Sequence, residues 1–153
     1  MERISTHISY QEAVRSNTAL RLNIDNTPNG YQLGNMVGVA LNIFEPLRQW
    51  VGGPIKINSF YRNEKLNTAI GGSKTSFHCH GRAIDLDDTF GHKTNAEMFY
   101  YIKENLNFDT LIWEFGTDEN PNWVHVAWIS LDENRGRCLR AEKTNGRTSY
   151  RNI

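Results

Sequence analysis

Two stretches of this chain alternate apolar and polar residues with the period of a half-buried strand. In Ala83-Ile84-Asp85-Leu86-Asp87, Ile84 and Leu86 fall on one side, and Ala83, Asp85 and Asp87 on the other. In Trp123-Val124-His125-Val126-Ala127-Trp128, Val124, Val126 and Trp128 share a face, while Trp123, His125 and Ala127 share the opposite one. The pattern predicts that the aliphatic residues of both strands face a core. If the strands are neighbours, Asp85 and His125 point together into one cleft, with small Ala83 and Ala127 leaving room beside them.

Elsewhere the apolar period becomes that of a helix. Leu33, Met36, Val37, Ala40, Phe44, Leu47 and Val51 recur at helical spacing, which predicts a long helix packed on the core. Thr27-Pro28 has the form of an N-cap followed by the first helical residue. Pro46 predicts a kink or break, and Gly52-Gly53-Pro54 the end. Ser9…Glu12 and Thr94…Glu97 have capping-box spacing, opening a short helix and one that runs to about Asn105. Residues 55–59 suit a strand, and Glu64 to Ile70 a short helix closed by Gly71-Gly72. Further strands are expected near 109–114, 123–129 and 137–143, with Asn145-Gly146 as a turn. Helices early and strands late predict an α+β fold, an antiparallel sheet packed against helices. There is no repeat, low-complexity run or linker, so residues 1–153 are expected to form one domain.

Composition narrows the function classes. Apolar residues at 39% and charged residues at 22% are ordinary for a soluble globular protein. Seventeen basic and 17 acidic residues cancel, which speaks against a nucleic-acid protein held by phosphate contacts. No apolar run is long enough to span a bilayer. Met1-Glu2-Arg3-Ile4-Ser5 opens no signal-peptide hydrophobic region, so a cytoplasmic protein, acting elsewhere only after release, is expected. A monomer is expected, and Cys79 and Cys138 are expected as free thiols.

The chemistry lies in Ser76-Phe77-His78-Cys79-His80-Gly81-Arg82-Ala83-Ile84-Asp85, which reads S-x-H-x-x-G-x-A-x-D. Gly81 allows the chain to bend, bringing His78 back over Asp85. With His125 this makes two imidazoles and one carboxylate, the kind of three-ligand set a catalytic zinc uses, with a fourth position left for water. A lone histidine in an alternating strand is commonly a core or surface residue. The ten-residue motif is more specific, because it sets five residue types at defined offsets. On an extended segment Cys79 would face away from His78, whereas His80 would share its side and support it or touch substrate. Trp113, Trp123 and Trp128 read as core.

The motif resembles that of the zinc-dependent M15 peptidases, which share the hedgehog/D-Ala-D-Ala peptidase fold. These include D-alanyl-D-alanine carboxypeptidases and dipeptidases, and phage endolysins that cut L-Ala-D-Glu or related bonds of peptidoglycan. The resemblance extends over Thr18–Pro28, Gly52–Arg62 and the Ile70–His78 approach to the motif, as in the compact branch common in phages. It implies one Zn2+ held by His78, Asp85 and His125. It also implies that Arg62 lies over the active site, where a guanidinium binds a peptide carboxylate or steadies an oxyanion. Ser76 would touch substrate or orient the His78 loop. Many members carry an acidic general base three residues before the last zinc histidine, but here that position is Asn122. Glu114, in Leu111-Ile112-Trp113-Glu114-Phe115-Gly116, is the nearest acidic alternative, ahead of Asp118 and Glu119. A metal-activated water needs such a proton acceptor. The implied activity is hydrolysis of an amide bond in the peptidoglycan stem peptide or cross-link, as by an endolysin, with no stretch left for a separate wall-binding module. Asn122 keeps open a non-catalytic zinc-containing wall-binding or structural relative. A D,D-carboxypeptidase acting on wall precursors is a third, closer option.

Overall fold

The two alternating stretches are neighbouring antiparallel strands, with Asp85 opposite His125 and Ile84 opposite Val126. The computed structural model describes residues 1–153. A short hairpin, β1 (Arg3–Ser5) and β2 (Ile8–Ser9), leads into α1 (Tyr10–Val14) and α2 (Asn17–Arg21). The long helical region follows as α3 (Gly30–Val39), a π-helical segment (Ala40–Phe44) and α4 (Glu45–Val51). Then come β3 (Lys56–Ser59), α5 (Glu64–Ala69), a 3-10 turn (Phe77–His80) and β4 (Ala83–Asp87). The chain closes with α6 (Asn95–Asn105), β5 (Thr110–Glu114), β6 (Trp123–Ala127), β7 (Arg137–Thr144) and β8 (Arg147–Asn152).

Six strands form one sheet in the order β3-β4-β6-β5-β7-β8. Ile84, Leu86, Leu111, Val124 and Val126 are wholly buried on one face. They share a core with Met36, Val39, Ala40, Ile43, Phe44 and Leu47 of the helical region and with Met98, Phe99 and Ile102 of α6. Each large apolar side chain removed from water here contributes about 1.5–3 kcal/mol of transfer free energy. With one face given to this core, Asp85 and His125 are left on the other. The fold is α+β, as expected, and no helix is long and apolar enough to cross a membrane.

Three local expectations change. The sheet is mixed, because β5 and β7 run parallel. After β6 the chain returns to the start of β5, where the buried Asp109 carboxylate accepts from the Arg135 main-chain N–H and, at 3.0 and 2.8 Å, from its guanidinium. β7 therefore starts beside Thr110 and runs with it. The long helix starts later than Thr27-Pro28. Asn29 and Gln32 make the reciprocal capping box, while the Thr27 N–H and hydroxyl are both spent on Asp25. Pro46 marks a change of helix type rather than a gap, α3 passing through the π-helical segment into α4. The Glu45 N–H reaches back five residues to the Ala40 carbonyl, and this wider turn lets Pro46 enter α4 in its first turn, where a missing N–H costs little.

Candidate metal centre and catalytic cleft

His78 is positioned by its backbone neighbours. The Ser76 hydroxyl accepts from the His78 N–H at 3.2 Å, capping the 3-10 turn, and the Arg62 N–H donates to the His78 carbonyl. Gly81 ends the turn at φ +72, and a Cβ there would fall 2.5 Å from the Gln32 carbonyl oxygen of α3. Glycine is thus required both for the backbone conformation and for the close approach. The buried imidazole donates from Nδ1–H to the Phe60 carbonyl at 2.7 Å. That bond selects the tautomer and leaves Nε2 as the lone-pair nitrogen.

Nε2 lies 3.2 Å from Asp85 Oδ2 and has no hydrogen-bond partner. The other carboxylate oxygen, Oδ1, is 2.9 Å from His125 Nδ1. The His78 and His125 rings meet edge-on, with centroids 5.1 Å apart. One donor atom from each of His78, Asp85 and His125 lies within 4.8 Å of the others. A buried lone pair aimed at an anionic oxygen is unfavourable unless a cation lies between them. Burial works to raise the Asp85 pKa, but the two imidazoles outweigh it and hold the carboxyl well below the usual range. Burial lowers the His78 pKa against the pull of Asp85, keeping the ring neutral. An ionised carboxylate and a neutral imidazole are the forms that bind a metal.

Glu114 stands at the end of β5, opposite Trp123 on β6, and shares its face with Ile112, which is opposite His125. Glu114 is thus the diagonal neighbour of His125 on the cleft face. It is buried, and this burial raises its pKa to about 7; Asp85 adds to the rise while His125 and Arg62 oppose it. Arg62 faces the same charges. Burial lowers its pKa, and Asp85 and Glu114 offset that, yet its buried Nε has no hydrogen-bond partner. Asn26 steadies this segment: its Nδ2 donates to the Tyr61 carbonyl and its Oδ1 accepts from the Asn63 N–H.

The remaining candidates are placed differently from one another. Asn122 is exposed and gives its main-chain N–H to the Glu114 carbonyl. Asp118 is paired with Arg140 at 2.6 Å, and Glu119 is exposed in the same loop. Ser76 serves as the cap that orients His78. His80 is exposed and does not share a side with His78, because residues 77–80 form a 3-10 turn with about three residues per turn. Cys79 is buried, outside the triad, and both cysteines are free. Trp113 is core and Trp128 packs against it, but Trp123 is half-buried on the cleft face, its ring 5.5 Å from that of Phe115. Strand pairing, rather than apolar character, decides where Trp123 goes. The Phe60 carbonyl and the Asn26 brace leave no mark in a residue pattern, since both act through the backbone.

The family model described as Peptidase M15 matches residues 6–127, a span that contains Arg62, Ser76, His78, Asp85, Glu114 and His125. No curated protein matches the chain.

Proposed function

The chain belongs to the peptidase M15 family, and we propose that it is a zinc-dependent peptidase hydrolysing an amide bond in the stem peptide or cross-link of peptidoglycan, as a phage endolysin does. The observation that carries the metal assignment is the buried, unpartnered His78 Nε2 facing the Asp85 carboxylate, with His125 Nδ1 on the other oxygen. Two imidazole nitrogens and one carboxylate suit zinc better than calcium or magnesium, which favour all-oxygen sites. Zinc held there would supply Lewis acidity, polarising the substrate carbonyl and making water a better nucleophile.

The chain's own groups supply the rest. Glu114, buried on the face that carries His125, takes the proton from the attacking water and returns it to the leaving nitrogen. Burial raises its pKa to about 7 in the metal-free protein, and the metal's charge would bring it lower, toward the ionised form that accepts a proton. Arg62 brings a permanent positive charge with an unfilled donor to meet the substrate carboxylate or the developing oxyanion. Ser76 and Phe60 keep His78 aimed. Asn122 alone would favour a non-catalytic relative; a buried carboxylate at Glu114 supports the hydrolytic reading instead. We assign the action to a monomer that meets the wall after release.

Peptidoglycan incubated with zinc-loaded protein should acquire new amino and carboxyl termini within its stem peptides, identified by mass spectrometry. An unchanged muropeptide profile would overturn the hydrolytic reading. Loss of only a terminal D-alanine would move it to a carboxypeptidase.

A further inference from the structure

The family match ends at residue 127, and both β7 and β8 lie beyond it. Sheet register nonetheless ties this hairpin to the cleft. Glu114 pairs with Ala141 on β7, and Ala141 pairs with Tyr150 on β8. Directly opposed residues project to the same face. Tyr150 therefore stands on the face that carries Glu114, Asp85 and His125, with only a buried methyl group between it and Glu114.

Burial raises the Tyr150 pKa, and the carboxylates of Glu114 and Asp85 raise it further. Yet Tyr150 remains 56% exposed, so it is open to a ligand. Beside this row opens a cavity of about 590 Å³, bounded by Phe115, Trp123, Ala141 and Lys143 among others. Phe115 holds φ +57, an unusual conformation for a bulky residue, and its ring packs against Trp123 and the Ile112, Leu139 and Ala141 cluster. Phe115 and Trp123 give that cavity aromatic surface, and Tyr150 stands next to it, directly opposite the lining residue Ala141.

We propose that the β7–β8 hairpin forms the Glu114-side wall of the substrate cleft, and that the Tyr150 hydroxyl hydrogen-bonds the main chain of the bound peptide. This rests on the peptidase reading above. A phenol both donates and accepts, which suits a peptide amide. Tyr150 contacts substrate away from the reacting bond, so it contributes equally to ground state and transition state and is read in KM.

The test compares zinc-loaded wild type, Tyr150→Phe and Tyr150→Ala on a soluble muropeptide. Tyr150→Phe should raise KM about tenfold, as for one lost hydrogen bond, with kcat within about twofold. Tyr150→Ala should raise KM at least as much. Zinc content and melting temperature should match wild type, because the residue lies on an exposed edge strand. A Tyr150→Phe enzyme with wild-type KM would overturn the assignment while leaving the peptidase reading intact. A wild type that cleaves no wall peptide would remove that reading, and this one with it.

Discussion

At the residue scale two side chains of the cleft have opposite needs. His78 must stay neutral to offer a lone pair, and burial together with the Phe60 carbonyl keeps it so. Glu114, as the proposed base, must exchange a proton, and in the metal-free protein burial raises its pKa to about 7. Glu114→Gln should keep zinc and fold while lowering turnover by about two to four orders of magnitude, measured as kcat on a muropeptide. The pH dependence follows with a definite sign. In the metal-free protein the folded state holds a proton on Glu114 between 4.5 and about 7 that the unfolded chain has released. The stability this contributes is full below the lower value and lost as pH rises through the upper one. Urea titrations of wild type and Glu114→Gln should therefore differ in pH slope across that window and run parallel above it. Parallel slopes throughout would contradict a buried, perturbed Glu114. In the loaded enzyme the metal's charge lowers this pKa, so activity should rise with pH and reach its plateau at or below about 7.

At the element scale the two site strands were legible because alternation in residues 83–87 and 123–127 is a direct image of burial on one face. The capping box at Thr94 and Glu97 was legible for a similar reason, since both of its hydrogen bonds are local. Other features depend on partners distant in sequence. The parallel pairing of β5 with β7 through Asp109 and Arg135 and the cleft position of Trp123 belong to this group, whereas the π-helical turn before Pro46 is local but rests on a main-chain hydrogen bond that no residue pattern marks. Reading His78–His80 as extended failed because Ser76 and Gly81 together close a 3-10 turn. Gly81 is where element geometry and site meet. Gly81→Ala places a Cβ against the Gln32 carbonyl at φ +72, and should destabilise the fold by about 1–3 kcal/mol in urea titration. It should also weaken metal binding, since the turn carries His78. An alanine variant of wild-type stability and zinc affinity would show that the turn tolerates another backbone path.

At the scale of the whole molecule, helices cover one sheet face and leave the other to chemistry. The gathering of His78, Asp85 and His125 was readable from motif spacing and strand alternation, and the position of Glu114 near them from its place at a strand end. Arg62 as a half-buried cation with an unfilled Nε donor required the fold, because the groups that act on its charge, Cys79, Asp85 and Glu114, come from three separate segments. The C-terminal hairpin was expected only as a strand and a turn; its second strand and its approach to Glu114 emerge from register alone. The central claim is that this fold brings His78, Asp85 and His125 together to hold one catalytic zinc. Metal analysis of purified, zinc-equilibrated wild type and His78→Ala tests it most directly. Wild type should hold one zinc per chain, and a folded His78→Ala protein should retain none. Full zinc occupancy in His78→Ala would contradict it.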